Sequence, residues 1–295
     1  MDSIFDRRHI RHAFGRAAGS YNEAAALQQE VRSRLLESLE SLKDRTPQTV
    51  LDIGSGPGHA AATMRKRWPR TQVIALDIAL PMLQEARKQN SWWRPFQRIC
   101  ADAGALPLAD QGVDVIFSNL CLQWVEDLPR ALNEFRRVLR PGGLLLCSTF
   151  GPDTLIELRE AFATTDAVPH VSPFPGISLF GDTLMAAGFR NPVLDRDLFT
   201  LTYPDLPALM HELRDIGATN ALRNRRRTLT GRQRFTAATN VYETLRRDDD
   251  TLPSSWEVIY AQAWAPPPGA PIRGEDGGDV VSVPLTSIPI RRKTP

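Results

Sequence analysis

The sequence predicts an α/β fold: a doubly wound, seven-stranded, mostly parallel sheet, with an N-terminal helix and a helical insertion near the last strands. Three observations predict it. Short apolar runs alternate with helical patterns from residue 49 to residue 150, and such alternation winds parallel strands through right-handed crossovers. A glycine-rich turn, Gly54-Ser-Gly56-Pro-Gly58, directly follows the first apolar run. Two more strand-like runs, Val193–Thr202 and Trp256–Trp264, stand beyond the alternating region.

The elements follow in order. Leu27, Val31, Leu35, Leu39 and Leu42 recur at spacings of three and four and predict a helix over 22–43 with Asn22 as its cap. Thr49–Ile53 is a buried strand, and a helix runs from about His59 to Trp68. Gln72–Leu76 is the second strand, and Pro81 opens the next helix at a favoured first-turn position. Phe96–Cys100 is a weaker third strand and Val113–Ser118 a fourth. Leu128, Ala131, Leu132, Phe135, Val138 and Leu139 trace one helical face, stopped by Pro141-Gly142-Gly143. Leu144–Phe150 is the fifth strand. Helices are expected over 153–165, 178–187, 205–215 and 231–247. One catalytic domain over 1–265 is expected, with a helical lid at 1–45, an insertion at about 201–250 covering the ligand edge, and a flexible Pro/Gly-rich tail over 266–295.

With 36 basic and 34 acidic residues, the net charge of +2 gives no global case for nucleic acid or a membrane surface. Cys100, Cys121 and Cys147 have no metal-site spacing and sit in apolar contexts, so all three are expected as buried free thiols in a reducing compartment. The N-terminal stretch lacks an apolar core of the signal-peptide type, which predicts a cytoplasmic protein.

The glycine turn carries the functional argument. It lies between a strand and a helix, the context of a nucleotide loop. A dinucleotide site would show GxGxxG, seating a pyrophosphate on the helix N-terminus. Here the spacing is GxGxG, and Asp52 precedes it. An acid there is poor company for phosphate and suits a cationic ligand with an amino-acid group. S-adenosylmethionine, bearing an ammonium and a sulfonium, is such a ligand. Asp77, ending the second strand, is placed to accept bonds from both ribose hydroxyls, with Ile78 beside it. NAD enzymes place an acid similarly, so Asp77 alone does not discriminate. Asp102 and Ala103 follow the third strand, where a carboxylate would accept the adenine amine, and Asn119 follows the fourth. The predicted cofactor residues are therefore Asp52, Gly54, Gly56, Gly58, Asp77, Ile78, Asp102, Ala103 and Asn119, with no metal.

Over residues 49–150 this arrangement resembles the class I S-adenosylmethionine-dependent methyltransferases, which implies their Rossmann-like fold. A closer resemblance, up to about residue 265, is to the malonyl-[acyl-carrier protein] O-methyltransferases. It is carried by Ala13-Phe14 with Ala18-Gly-Ser-Tyr21, Ser118–Trp124, Phe150–Leu155, Ile216–Asn220 and Leu229–Arg232. The resemblance implies methylation of the free carboxylate of a malonyl thioester on acyl carrier protein, a step that opens biotin (pimeloyl) synthesis. S-adenosylhomocysteine would be the product of the cofactor. A carboxylate nucleophile is ionised at neutral pH and needs no general base; no nucleophile-and-base constellation is evident in the sequence.

Holding that carboxylate calls for a cation, and Arg214 is the candidate, an exposed surface arginine being the competing reading. Tyr21 is the second catalytic candidate, as a hydrogen-bond donor or a sulfonium-facing ring; helix-start packing is the alternative. Gln123 and Trp124 are candidate pocket residues. Residues 216–242 hold six arginines, at 223, 225, 226, 227, 232 and 234, and no acid. This Arg223–Arg234 segment would steer an acidic carrier protein, although solvated charge runs are common and RNA is a further possibility. Other functions left open are a class I methyltransferase acting on a small acid or RNA, a non-catalytic assembly factor keeping the fold, and an NAD-linked dehydrogenase.

Overall fold

The computed structural model describes residues 4–42, 45–165, 168–225 and 231–267, with the backbone of 272–273 and 279–280. Five strands run parallel: β1 (Thr49–Ile53), β2 (Gln72–Asp77), β3 (Gln97–Cys100), β4 (Val113–Ser118) and β5 (Leu139–Phe150). β6 (Arg190–Tyr203) and β7 (Leu252–Trp264) complete a seven-stranded sheet of order β3-β2-β1-β4-β5-β7-β6, in which β7 alone runs antiparallel to its neighbours. The order reverses direction between β1 and β4. A crevice opens there beyond the strands' carboxyl ends, where ligands of open α/β sheets bind.

Period-two alternation in the strands gives the sheet two buried faces. Val50, Val73, Ala75, Val115 and Phe117 face α4 (His59–Arg67) and α5 (Leu80–Ala86) in one core cluster. Leu51, Ile53, Ile74, Leu76 and Ile116 face α6 (Leu128–Val138) and α8 (Ile177–Ala186) in another. Asp127 caps α6 by accepting a bond from Arg130 N at 2.9 Å, and Pro129 sits in the first turn.

A third cluster roofs the carboxyl edge. It joins α3 (Ala26–Glu37), α7 (Ile156–Ala163), α9 (Leu206–Asp215) and α10 (Arg232–Glu243) to Phe150, Trp256 and Val258. In front of it lies α1 (Arg7–Ala17), capped by Asp6, which accepts from His9 N at 3.1 Å. The 221–225 segment stitches α1 down. Asp6 N donates to Ala221 O at 2.8 Å, Phe5 bridges Leu222, and Arg225 pairs with Asp6 at 3.1 Å.

Several expectations need correction. The helix over 22–43 is broken at Ala25 into α2 (Tyr21–Ala24) and α3, with a 3-10 turn over Ser38–Leu42. Asn22 is inside α2, not its cap, and its Oδ1 meets His59 Nε2 at 2.7 Å. The break turns Tyr21 toward the crevice while the Leu27–Val31–Leu35 face stays on the core. Pro141-Gly142-Gly143 does not divide helix from strand: α6 stops at Val138 and β5 already starts at Leu139. Of the cysteines only Cys147 is buried. Cys100 is exposed because β3 is the sheet's edge, and Cys121 is half-buried. Within the tail, Ile272–Arg273 pairs with Asp279–Val280; the rest of 268–295 lies outside the described residues. So do Arg226 and Arg227 of the basic segment and Leu229 of the family-like stretch.

Candidate functional site

The glycine turn ends β1 with Gly54, Gly56 and Gly58 all at positive φ (68°, 51° and 80°), a region that disfavours side chains with a Cβ. The three do different things. A Cβ on Gly54 would meet Cys121 at 2.5 Å, so this glycine lets the β1 and β4 loops close on each other. A Cβ on Gly56 would meet nothing within 4 Å, because Gly56 faces the crevice. A Cβ on Gly58 would meet Ala86 at 2.8 Å and Phe96 at 2.9 Å. Gly58 is not among the residues lining the crevice, although its neighbours Pro57 and His59 are, and its lack of a Cβ lets α4 pack on α5.

The crevice is one cleft in two parts that share Tyr21, Gly54, Gly56 and Asn119. The larger part encloses about 910 Å³, counting its mouth, and is lined by Asp77, Ile78, Asp102 and Ala103 as the sequence predicted. Met82, Trp124 and the α1 residues Arg7, Ile10 and Phe14 close it. The smaller part holds Asp52, Ser55 and Arg32.

Asp77 accepts from Gly56 N at 2.9 Å and Ala79 N at 2.8 Å, which fixes its carboxylate at the rim of β2. Burial pushes its pKa up to about 6, against the lowering effect of those backbone donors. Asp52 is 1% exposed and accepts from Ala61 N at 3.1 Å. Burial raises it to about 7, with the neighbouring Asp77 charge adding to the rise. Two buried acids face one cleft, and the Arg32 charge partly offsets the rise at Asp52. Asp102 accepts from Gly104 N at 2.8 Å and pairs with Arg7 at 3.3 Å. Asn119 lines the cleft, but its side chain is spent: Nδ2 donates to Gln28 O and Oδ1 accepts from Ser148 Oγ, both at 3.0 Å. That amide ties α3 to the sheet, leaving the Asn119 backbone for a ligand.

Tyr21 lies where the two parts meet. Burial, and then the Asp77 charge, push its hydroxyl well above the ordinary phenol range, so it is a donor. Arg32 was missed from the sequence. It sits on α3 beside Asp52, and burial lowers its pKa while Tyr21 and Asp52 raise it. Its place at i+1 from Val31, on a helix read for its apolar face, gave no signal. The Ser55 hydroxyl beside it is buried with no partner.

A second cavity adjoins the first across Trp124, which lines both and meets Phe14 edge-on at 5.3 Å. Its walls are mostly apolar and include Phe150, Leu158, Phe162, Phe174, Met210 and Trp256. Arg214 lines this chamber and not the cofactor cleft; so do His9, His170 and Arg225. No Asp or Glu is among the described residues lining it. His9 Nε2 meets Thr219 Oγ1 at 3.1 Å, and its pKa is lowered first by burial and then by the Arg225 charge. Gln123 is buried and lines neither cavity. Among the described residues no cluster of three His, Cys, Asp or Glu side chains is placed to hold a metal.

The cleft fits S-adenosylmethionine. Gly56 leaves an open face on it, Asp77 is a fixed acid at its rim, and Asp52 and Arg32 line its smaller part together. Fold and site together define a class I methyltransferase dependent on that cofactor. A family model described as a methyltransferase domain matches residues 51–147. The chain is 64% identical over 293 residues, 99% of each chain, to the malonyl-[acyl-carrier protein] O-methyltransferase of Xylella fastidiosa (strain M23). It is 42% identical over 284 residues to the enzyme so named from Gallionella capsiferriformans (strain ES-2), 94% of this chain and 96% of that one. The chain belongs to the malonyl-[acyl-carrier protein] O-methyltransferase family. Among solved structures, BH2331 from Bacillus halodurans C-125 shares the fold at a TM-score of 0.57 and 18% identity, over 79% of this chain and 99% of that one.

Proposed function

We propose that the protein transfers a methyl group from S-adenosylmethionine to the free carboxylate of a malonyl thioester on acyl carrier protein, the ester that opens biotin synthesis. The observation that carries the substrate is the second cavity: an apolar chamber beside the cofactor cleft, with two arginines on its walls and no described acid. An acyl arm ending in an anion fits such walls. Such apolar walls do not suit a duplex or folded RNA, whose phosphates call for a line of basic side chains.

When bound, the cofactor supplies an activated methyl group on a sulfonium. The protein's residues do the rest. Arg32 and the Ser55 hydroxyl receive the amino-acid carboxylate, Asp52 the ammonium, and Asp77 the ribose. Asp102 and the backbone at Ala103 receive the adenine, with Ile78 and the Asn119 backbone against the nucleoside. Arg214 clamps the acceptor carboxylate, and its guanidinium has no side-chain partner among the described residues. Tyr21 donates its hydroxyl at the junction and helps exclude water. Since the acceptor is ionised, with a pKa near ~4, no base is required. Alignment and water exclusion supply the rate, a contribution of up to about 7–11 kcal/mol in well-oriented systems.

The carrier protein is acidic, and the Arg223–Arg234 segment contributes to its docking through exposed Arg232 and Arg234. Arg223 and Arg225 act differently: they bond the Phe5 carbonyl and Asp6, and so hold α1 closed. No described helix is long and apolar enough to cross a membrane, and the three free thiols fit a reducing cytoplasm. The test is S-adenosylhomocysteine release with malonyl-carrier and with acetyl-carrier protein. Release with the first and not the second supports the reading; equal release from both, or from neither, refutes it.

A further inference from the structure

We propose that the groove between α1 and the start of α5 is the principal docking surface for the acidic carrier protein. This rests on the malonyl-carrier reading above and adds the place where the partner sits.

The floor of the groove is apolar: Ile78, Leu80, Pro81 and Cys100. Leu80 is 54% exposed and Cys100 is also exposed. The rim is basic: Arg8, Arg11, His12 and Arg16, all exposed. No acid occurs within α1 and none among the residues lining the groove. Arg8, Arg11 and Arg16 make no hydrogen bond or ion pair with their side chains among the described residues. Most other arginines at this edge are spent, Arg7 on Asp102 and Glu126, and Arg225 on Asp6. Three unpaired guanidinium groups on one face, above an apolar strip, are unfavourable in isolation through mutual repulsion. An acidic amphipathic helix would relieve that by pairing its carboxylates with the rim and its apolar stripe with Leu80 and Pro81.

Position supports the same occupant. The opposite face of α1, through Ile10 and Phe14, lines the cofactor cleft, and Ile78 lines both cleft and groove. A partner seated here is one helix thickness, about 10–12 Å, from the reacting centre. It lies at the sheet's carboxyl edge, and His9 of the same helix lines the chamber that holds Arg214.

Calorimetric titration with unacylated carrier protein measures docking without turnover. At low salt, the double variant R8E/R11E is expected to bind it about tenfold or more weakly, while R232E/R234E shows a smaller loss. In kinetics, R8E/R11E raises KM for malonyl-carrier by a similar factor and leaves kcat, thermal stability and cofactor affinity unchanged. Unchanged carrier affinity in R8E/R11E overturns the proposal, as does a parallel fall in kcat and stability, which would make the pair structural. Binding to anionic vesicles through this face, with carrier affinity unaltered, overturns it too. If wild type methylates no malonyl-carrier yet binds unacylated carrier through the groove, the substrate reading fails and the docking surface stands.

Discussion

Replacing Gly58 by alanine separates packing from ligand contact at the glycine turn. Gly58 has φ +80°, which costs a non-glycine residue about 1–2 kcal/mol. The new Cβ would lie 2.8 Å from Ala86 Cβ and 2.9 Å from Phe96 Cζ, with Ala86 Cα at 3.3 Å. Overpacking of that kind costs about 1–3 kcal/mol more. The sum is about 2–5 kcal/mol, or roughly 4–20 °C in Tm for a domain of this size. Gly56→Ala carries the positive-φ cost alone, about 1–2 kcal/mol, because nothing lies within 4 Å of its Cβ. Its methyl instead projects toward the cleft. Thermal unfolding and cofactor calorimetry on both variants check this. Gly58→Ala should melt lower and still bind S-adenosylmethionine below its transition; Gly56→Ala should melt nearer wild type and bind weakly. Equal melting with binding lost only in Gly58→Ala would refute the division of labour.

Asp52 titrates at about 7 and Asp77 at about 6 because both are buried. Their folded values lie above the unfolded ones, near ~4, so the folded state holds extra protons between about pH 4 and 7. Stability of the free protein should therefore fall as pH rises through that window and level off above it, as read by urea midpoints. Cofactor binding at pH 6 should release protons, because an ammonium beside Asp52 favours its ionised form; calorimetry in buffers of different ionisation enthalpy reads this, and Asp52→Asn should reduce the release. Arg32→Met should weaken cofactor binding about 10–100-fold, the worth of a charge-assisted bond, with stability little changed; an unaltered Kd would remove Arg32 from the site. Arg214→Ala should raise KM for malonyl-carrier by a similar factor, with partial recovery in Arg214→Lys, which keeps the charge and loses the fork. Cofactor Kd should be untouched in both Arg214 variants.

The central strands β1, β2 and β4 were legible because burial on both faces leaves them as short apolar runs, and Asp52, Asp77 and Asp102 were legible as acids at the ends of successive strands. The packing of Gly58 against Ala86 and Phe96 was not legible, because a sequence shows that a glycine is present without showing what presses on it. Asn119 stands at the expected edge, but its amide bonds α3, a contact 91 residues distant in sequence. Arg32 was invisible for the same reason: Asp52 and Tyr21 come to line one cleft with it only once the chain is folded. The basic run at 223–234 was legible as charge, whereas its inward bonds to Phe5 and Asp6 depend on where α1 comes to rest.

The most direct test is transfer of an isotopically labelled methyl group from S-adenosylmethionine to malonyl-carrier protein, with the labelled atom located by tandem mass spectrometry. One label, as an alkali-labile ester on the terminal malonyl carboxylate, is the predicted result. Label elsewhere, or none while calorimetry shows the cofactor bound, would contradict an anion-accepting chamber beside the glycine-turn cleft.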